Sequence, residues 1–315
     1  MFSKSGGTSP RLTEAAQDNA ALSDWQSYSR SLVECGHASE TSFVCPICKV
    51  AYLGPTKPSS VSKGHIIPAA FGGELTVLVC SQCEGYMGHN IEAPLINLVK
   101  DGRVIYGRTE GIVRGRLNMR TDSGPARVHL RFKSEGWEIH LPKRGDGERA
   151  FPNVEPGPIT KAPRLEFALE FDKQKVDRSL RLTVLKAAYL ASFKWLGYAY
   201  ALRDELAWVG RKLRGQPVRR PYVYVVDPPG KSYTISMPSF KELASHPSHV
   251  ALAEGTAAEL PVLFAFVQLQ NMQYLAVLPP PSGGVNLDEL RNTFGTGEGR
   301  KVIVTFDLRR VVVAV

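Results

Sequence analysis

Two Cys-x-x-Cys pairs, Cys45/Cys48 and Cys80/Cys83, constrain this chain more than any other feature. Each pair is a knuckle that offers two thiolates to one metal, and four thiolates around one ion form the closed tetrahedral site of structural zinc. A closed site has no open position for water. The cysteines therefore account for architecture, and any chemistry has to come from other groups. Of the chain's five cysteines only Cys35 lies outside the knuckles. That is the pattern of a metal site in a reducing cytoplasm rather than of a disulfide framework. Between the knuckles runs Gly64-His65-Ile66-Ile67-Pro68, a short apolar strand stopped by proline. Gly72-Gly73 then turns the chain, Leu75 to Val79 reads as a return strand, and a helix begins at Cys83.

A histidine-bearing hairpin followed by a helix on a zinc clamp resembles the HNH endonucleases. The residues that carry the resemblance are Cys45-Pro-Ile-Cys48, Ser62-Lys-Gly-His65-Ile-Ile-Pro68, Gly72-Gly73, Cys80-Ser-Gln-Cys83 and Gly88-His-Asn-Ile-Glu-Ala-Pro-Leu95. They cover a small part of the 315 residues. The resemblance implies a ββα-metal fold that cleaves nucleic acid with one divalent ion. By resemblance His65 is the general base that takes a proton from the attacking water, a task suited to an imidazole. Glu84 follows the second knuckle, where the family usually carries Asn or His, and is a good oxygen ligand for catalytic magnesium or manganese. Gly64 stands where the family usually carries an acidic metal ligand. Restoring an acid there is expected to strengthen metal binding if the backbone tolerates a side chain. His89 and Asn90 are further candidates, but they follow Glu84 by more than one helical turn and face elsewhere unless the helix is irregular. The family's middle asparagine falls near Thr76 and is not assigned. A second reading stays open: an HNH-like module whose catalysis has decayed, acting as a nucleic-acid-binding or regulatory protein.

The chain has 39 Lys and Arg against 30 Asp and Glu, a net charge of +9. That balance favours a polyanionic partner such as DNA or RNA, and the resemblance to the HNH endonucleases implies nucleic acid, DNA ahead of RNA. Lys57 and Lys63, beside the His65 strand, can reach phosphates. Beyond Leu95 the texture changes to alternating strands near Val104 to Tyr106, Ile112 to Met119, Arg127 to Phe132 and Trp137 to Leu141, an antiparallel meander. Its polar positions are rich in arginine. Arg114 and Arg116 lead a set placed either to line a phosphate backbone or to form a solvated face. Lys143 to Pro163 is rich in proline and glycine and reads as a linker.

Val176 to Leu213 is the longest helical pattern, apolar on nearly every side at its centre and so expected as a buried helix. Its apolar run, interrupted by Lys194, falls short of the roughly 20 residues a membrane span needs, so no membrane is expected. The aromatics of that run are read as core ahead of base-stacking groups. Strands are further expected at Tyr222 to Val226, Tyr233 to Ser236, Val262 to Leu269, Met272 to Leu278 and Val302 to Phe306. Short helices are expected near Ser239 to Ala244 and Leu287 to Asn292. The expected fold class is α+β: a helical extension over 1–40, a zinc-bound HNH-like ββα module over 41–100, an antiparallel β region and linker over 101–163, and an α+β domain with a long helix over 164–315. The last part has no assigned role, and forming a homodimer is one that stays open.

Overall fold

The computed structural model describes residues 14–36, 42–54, 58–105, 108–118, 126–133, 136–140, 166–169, 171–218, 248–257, 260–269, 272–283 and 304–314. The fold is α+β and divides into two compact units, residues 1–92 with 181–315, and residues 93–180.

In the first unit, helix α1 (Glu14–Glu34) sets Trp25, Tyr28 and Leu32 on one buried stripe through their three- and four-residue spacing. Trp25 meets Phe43 of strand β1 (Ser42–Val44), with ring centroids 5.6 Å apart. Strand β1 pairs antiparallel with β2 (Ala51–Leu53), and the first knuckle lies between them. A second hairpin joins β3 (Val61–His65) to β4 (Thr76–Cys80), in register from Val61 opposite Cys80 to His65 opposite Thr76. Its connection includes a 3₁₀ turn, Ala69–Phe71, closed by Gly72 at a φ of 85°, which suits a residue without a Cβ. Helix α2 (Ser81–Tyr86) follows β4 directly and runs into a π-helical segment, Met87–Glu92. Strands β3 and β4 with α2 are the expected ββα unit.

The second unit begins with α3 (Ala93–Ile105). Val104 and Ile105, expected in a strand, are the end of this helix: Val104 is buried, and its Cγ2 lies 2.8 Å from where a Cβ on Gly111 would be. Tyr106 lies outside the described residues. Four antiparallel strands follow, β5 (Gly111–Asn118), β6 (Ala126–Lys133), β7 (Gly136–His140) and β8 (Glu166–Leu169), in the order β7-β6-β5-β8. The first three form the expected meander, and β8 closes on β5.

Helix α4 (Lys173–Ala201) starts within residues assigned to the second unit and continues into the first. From Thr183 to Phe193 every residue is buried, as a helix apolar on all sides requires. Phe193 stacks on Tyr28 of α1 at 4.9 Å and meets Tyr198 at 4.9 Å, so these aromatics are core. The expected single helix to Leu213 is interrupted. Gly197 adopts a φ of 66° and breaks the helical backbone, and after Ala201 the chain passes through a 3₁₀ turn, Asp204–Leu206, into the short helix α5 (Ala207–Leu213). No helix among the described residues is long and apolar enough to cross a membrane.

The first unit ends in a four-stranded antiparallel sheet of β9 (Ser248–Ala257), β10 (Leu260–Leu269), β11 (Met272–Leu278) and β12 (Val304–Ala314), ordered β11-β10-β9-β12. Sequence reasoning missed β9. Its alanines and glycine have weak strand preference, and pairing on both edges with β10 and β12 overrides it. The linker Lys143–Pro163, the strands expected within 222–236 and the helices expected within 239–244 and 287–292 lie outside the described residues.

Helix α5 is pressed against the first knuckle: a Cβ on Gly210 would come within 2.2 Å of the Ile47 carbonyl oxygen. Gly→Ala inside a helix ordinarily stabilises by roughly 0.5–1 kcal/mol. Here Gly210→Ala is expected instead to destabilise by about 1–3 kcal/mol, the usual cost of overpacking. Chemical denaturation checks this, and a stabilised variant would contradict the close approach.

Candidate functional site

The knuckles converge because they belong to two different hairpins. In the first, the Cys45 N–H donates to the Val50 carbonyl at 3.0 Å and the Lys49 N–H to the Cys45 carbonyl at 2.9 Å. Lys49 takes a φ of 63°, unusual for a residue with a side chain. Its ammonium is held by the Tyr189 hydroxyl at 2.9 Å and by the Ala201 carbonyl. In the second, Cys80 ends β4 and caps α2, its Sγ accepting from the Cys83 N–H at 3.4 Å. The Cys80 N–H donates across to Cys45 Sγ at 3.5 Å.

All four Sγ atoms lie within 4.8 Å of one another, and those of Cys48 and Cys80 are 3.7 Å apart. Tetrahedral zinc with bonds of ~2.3 Å spaces its sulfurs by about 3.8 Å. Cys45, Cys80 and Cys83 are buried. Hydrogen bonds from the other three, that from Cys45 foremost, hold the Cys80 thiol far below its usual range, and Cys45 draws Cys48 down to about 7. The same bonds push Cys45 and Cys83 up. A single zinc ion relieves this crowding, and the donor set and spacing fit it.

The second group lies where α2 crosses β3. Glu84, the first residue past the second knuckle, turns its carboxylate back over Gly64. A Cβ on Gly64 would lie 2.2 Å from Glu84 Oε2 and 2.8 Å from Val79 Cγ2. The Glu84 carboxylate thus fills the space a side chain at 64 would take. This corrects the expectation for Gly64: an acid there displaces Glu84 rather than adding a ligand.

Glu84 Oε2 is buried and has no hydrogen-bond partner. Burial holds this carboxyl above the usual carboxylate range, Lys186 of α4 pulls it back, and Glu92 adds to the rise. Lys186 and Glu92 form a buried ion pair, and the lysine is 1% exposed. The cluster therefore has two carboxylates for one ammonium. A buried polar atom without a partner costs roughly 1–3 kcal/mol, so the orphaned oxygen is one that a divalent cation would satisfy.

His65 ends β3 next to Gly64 and is half-buried. Its cross-strand partner Thr76 is tied to α4, the Thr76 carbonyl accepting from Lys194 Nζ at 3.0 Å. Lys63 is ion-paired with Asp24 of α1 at 3.1 Å. Lys57 lies outside the described residues. His89 and Asn90 sit on the π-helical segment, so the helix is indeed irregular. Both are exposed, opposite the buried Met87, Ile91 and Glu92, and Asn90 Nδ2 donates to the Tyr86 carbonyl at 3.1 Å. Arg114 and Arg116 are exposed on β5 of the second unit.

Sequence reasoning did not single out Glu92 and Lys186. The available signal was a lysine at the edge of an all-apolar helical run, since a lysine buried there needs a carboxylate partner.

The family model for HNH endonuclease matches residues 45–99. This span holds both knuckles, β3, β4, α2, the π-helical segment and part of α3. No curated protein and no solved structure matches the chain. Residues 45–99 are an HNH-type segment carrying a four-cysteine cluster fit for zinc.

Structural zinc in small sites supplies on the order of 10 kcal/mol of folding free energy. Cys45→Ser and Cys83→Ser are therefore expected to lose the metal and unfold the module, and elemental analysis of the natural chain should give about one zinc per molecule. A folded natural protein without zinc would contradict the clamp.

Proposed function

We propose that the chain is a metal-dependent endonuclease that hydrolyses phosphodiester bonds in nucleic acid, DNA ahead of RNA. The observation that carries the reading is the Glu84 carboxylate, lodged over Gly64 beside His65 with one oxygen unpartnered. Glu84 is the residue that would hold magnesium or manganese, and such an ion supplies stabilisation of the charge that develops on the phosphate and leaving oxygen.

Among the described residues the only gathering of three or more metal-ligand side chains is the four cysteines. An ion held by Glu84 would take its remaining ligands from water and substrate phosphate, the usual manner of magnesium binding.

The His65 imidazole accepts a proton from water as the water oxygen forms its bond to phosphorus and the bond to the leaving oxygen breaks.

One observation favours the second reading, a binding module without catalysis: apart from the cysteines, no preformed three-ligand site exists among the described residues. Activity assays separate the two. His65→Ala removes the base and no thiolate, so zinc content and folding should persist while cleavage of plasmid DNA falls by about 10² or more. Glu84→Gln should shift the magnesium or manganese titration of cleavage to higher concentration. Natural protein that cleaves neither DNA nor RNA with either metal would decide for the binding module.

A further inference from the structure

The antiparallel register of the second unit sorts its basic residues. Along β5 and β6, Val113, Gly115, Val128 and Leu130 are buried, and Arg114, Arg116, Arg127, Arg131 and Lys133 are exposed on the other side. Arg114 faces His129, Arg116 faces Arg127, and Arg131 faces Glu138 of β7.

Glu138 and Asp101 are carboxylates that lie near these groups. Glu138 is paired with Lys133 at 2.5 Å and with His140 at 3.2 Å, and Asp101 of α3 lies within electrostatic reach of Arg114. Positive charge dominates the face.

Resting on the nucleic-acid reading above, we infer that the β5–β6–β7 face is a docking surface for the phosphate backbone of duplex DNA. Arginines two residues apart on a strand leave the same side of the backbone roughly 6.6–6.8 Å apart and offer forked donors suited to phosphate oxygens. The described residues of this face include no Phe, Tyr or Trp, the platforms on which single-stranded bases stack, so the occupant is a duplex. The nucleic-acid reading puts DNA ahead of RNA, and duplex RNA, which also offers phosphates, is the competing occupant that the affinity measurement separates. Such contacts read no sequence: they hold and orient the duplex.

The test uses the full zinc-loaded chain carrying His65→Ala, so that substrate stays intact, and measures affinity for a short duplex DNA by fluorescence anisotropy across a potassium chloride series. Each phosphate contact contributes about 0.9 to the slope of log affinity against log salt. The combined change Arg114→Gln, Arg116→Gln, Arg127→Gln and Arg131→Gln is expected to flatten that slope by about 3 to 4. Zinc content and a cooperative unfolding transition should persist.

A charge-matched control, Lys173→Gln, Lys175→Gln, Arg178→Gln and Arg211→Gln, removes exposed charges of helices α4 and α5, outside strands β5 to β7, and should leave the slope in place. An unchanged slope in the arginine variant, or an equal loss in the control, would overturn the proposal. So would tighter binding of duplex RNA or of polyglutamate than of duplex DNA by the same four arginines. Cleavage with an unchanged slope refutes the docking face alone, and arginine-dependent binding without cleavage by the natural chain refutes the nuclease reading alone.

Discussion

Four thiols gathered within 4.8 Å cannot all carry charge without a cation among them, and the first unit is arranged around that demand. The second knuckle fixes where β4 ends and α2 begins, because Cys80 is at once the last residue of the strand, the cap of the helix and a metal donor. With α2 starting there, the Glu84 carboxylate lies back over β3. Gly64 leaves it room. The clamp does no chemistry, yet it decides where the candidate metal-binding carboxylate stands.

Helix α4 does for the other side of the module what zinc does for the knuckles. The Tyr189 hydroxyl donates to the Pro46 carbonyl at 2.8 Å, and the Tyr198 hydroxyl donates to the Val44 carbonyl at 2.6 Å while accepting from the Val44 N–H at 3.1 Å. Backbone groups that a short hairpin leaves unpaired are satisfied in this way. Lys194 holds the Thr76 carbonyl opposite His65, and Lys186 pairs with Glu92 behind Glu84. These side chains recur along one buried helix, so the HNH-type segment of residues 45–99 is supported by residues outside it. Removing Lys186 alone would leave Glu92 buried and unpaired, the kind of loss that costs about 3–5 kcal/mol.

The parts legible in the sequence were those fixed by local chemistry. Cysteine spacing gave the clamp, proline and glycine marked the hairpin, and alternation placed β5 to β7 within a residue or so of their observed ends. What was not legible depends on distant residues. Val104 reads as a strand residue by itself and is helical because its buried face packs at Gly111. Strand β9, poor in strand-forming residues, exists through pairing on both sides. At the candidate site, Gly64 looked like a missing ligand. Only the fold places Glu84, twenty residues later in sequence, over the same spot.

The central claim is that Glu84 holds a divalent ion separate from the zinc. Crystals of the zinc-loaded chain soaked in manganese, measured at the manganese absorption edge, test it most directly. The account predicts one anomalous peak within about 2.2 Å of a Glu84 carboxylate oxygen, distinct from the cysteine site and lost in Glu84→Gln. Manganese found only at the cysteines, or none at all beside Glu84 even with DNA bound, would contradict it.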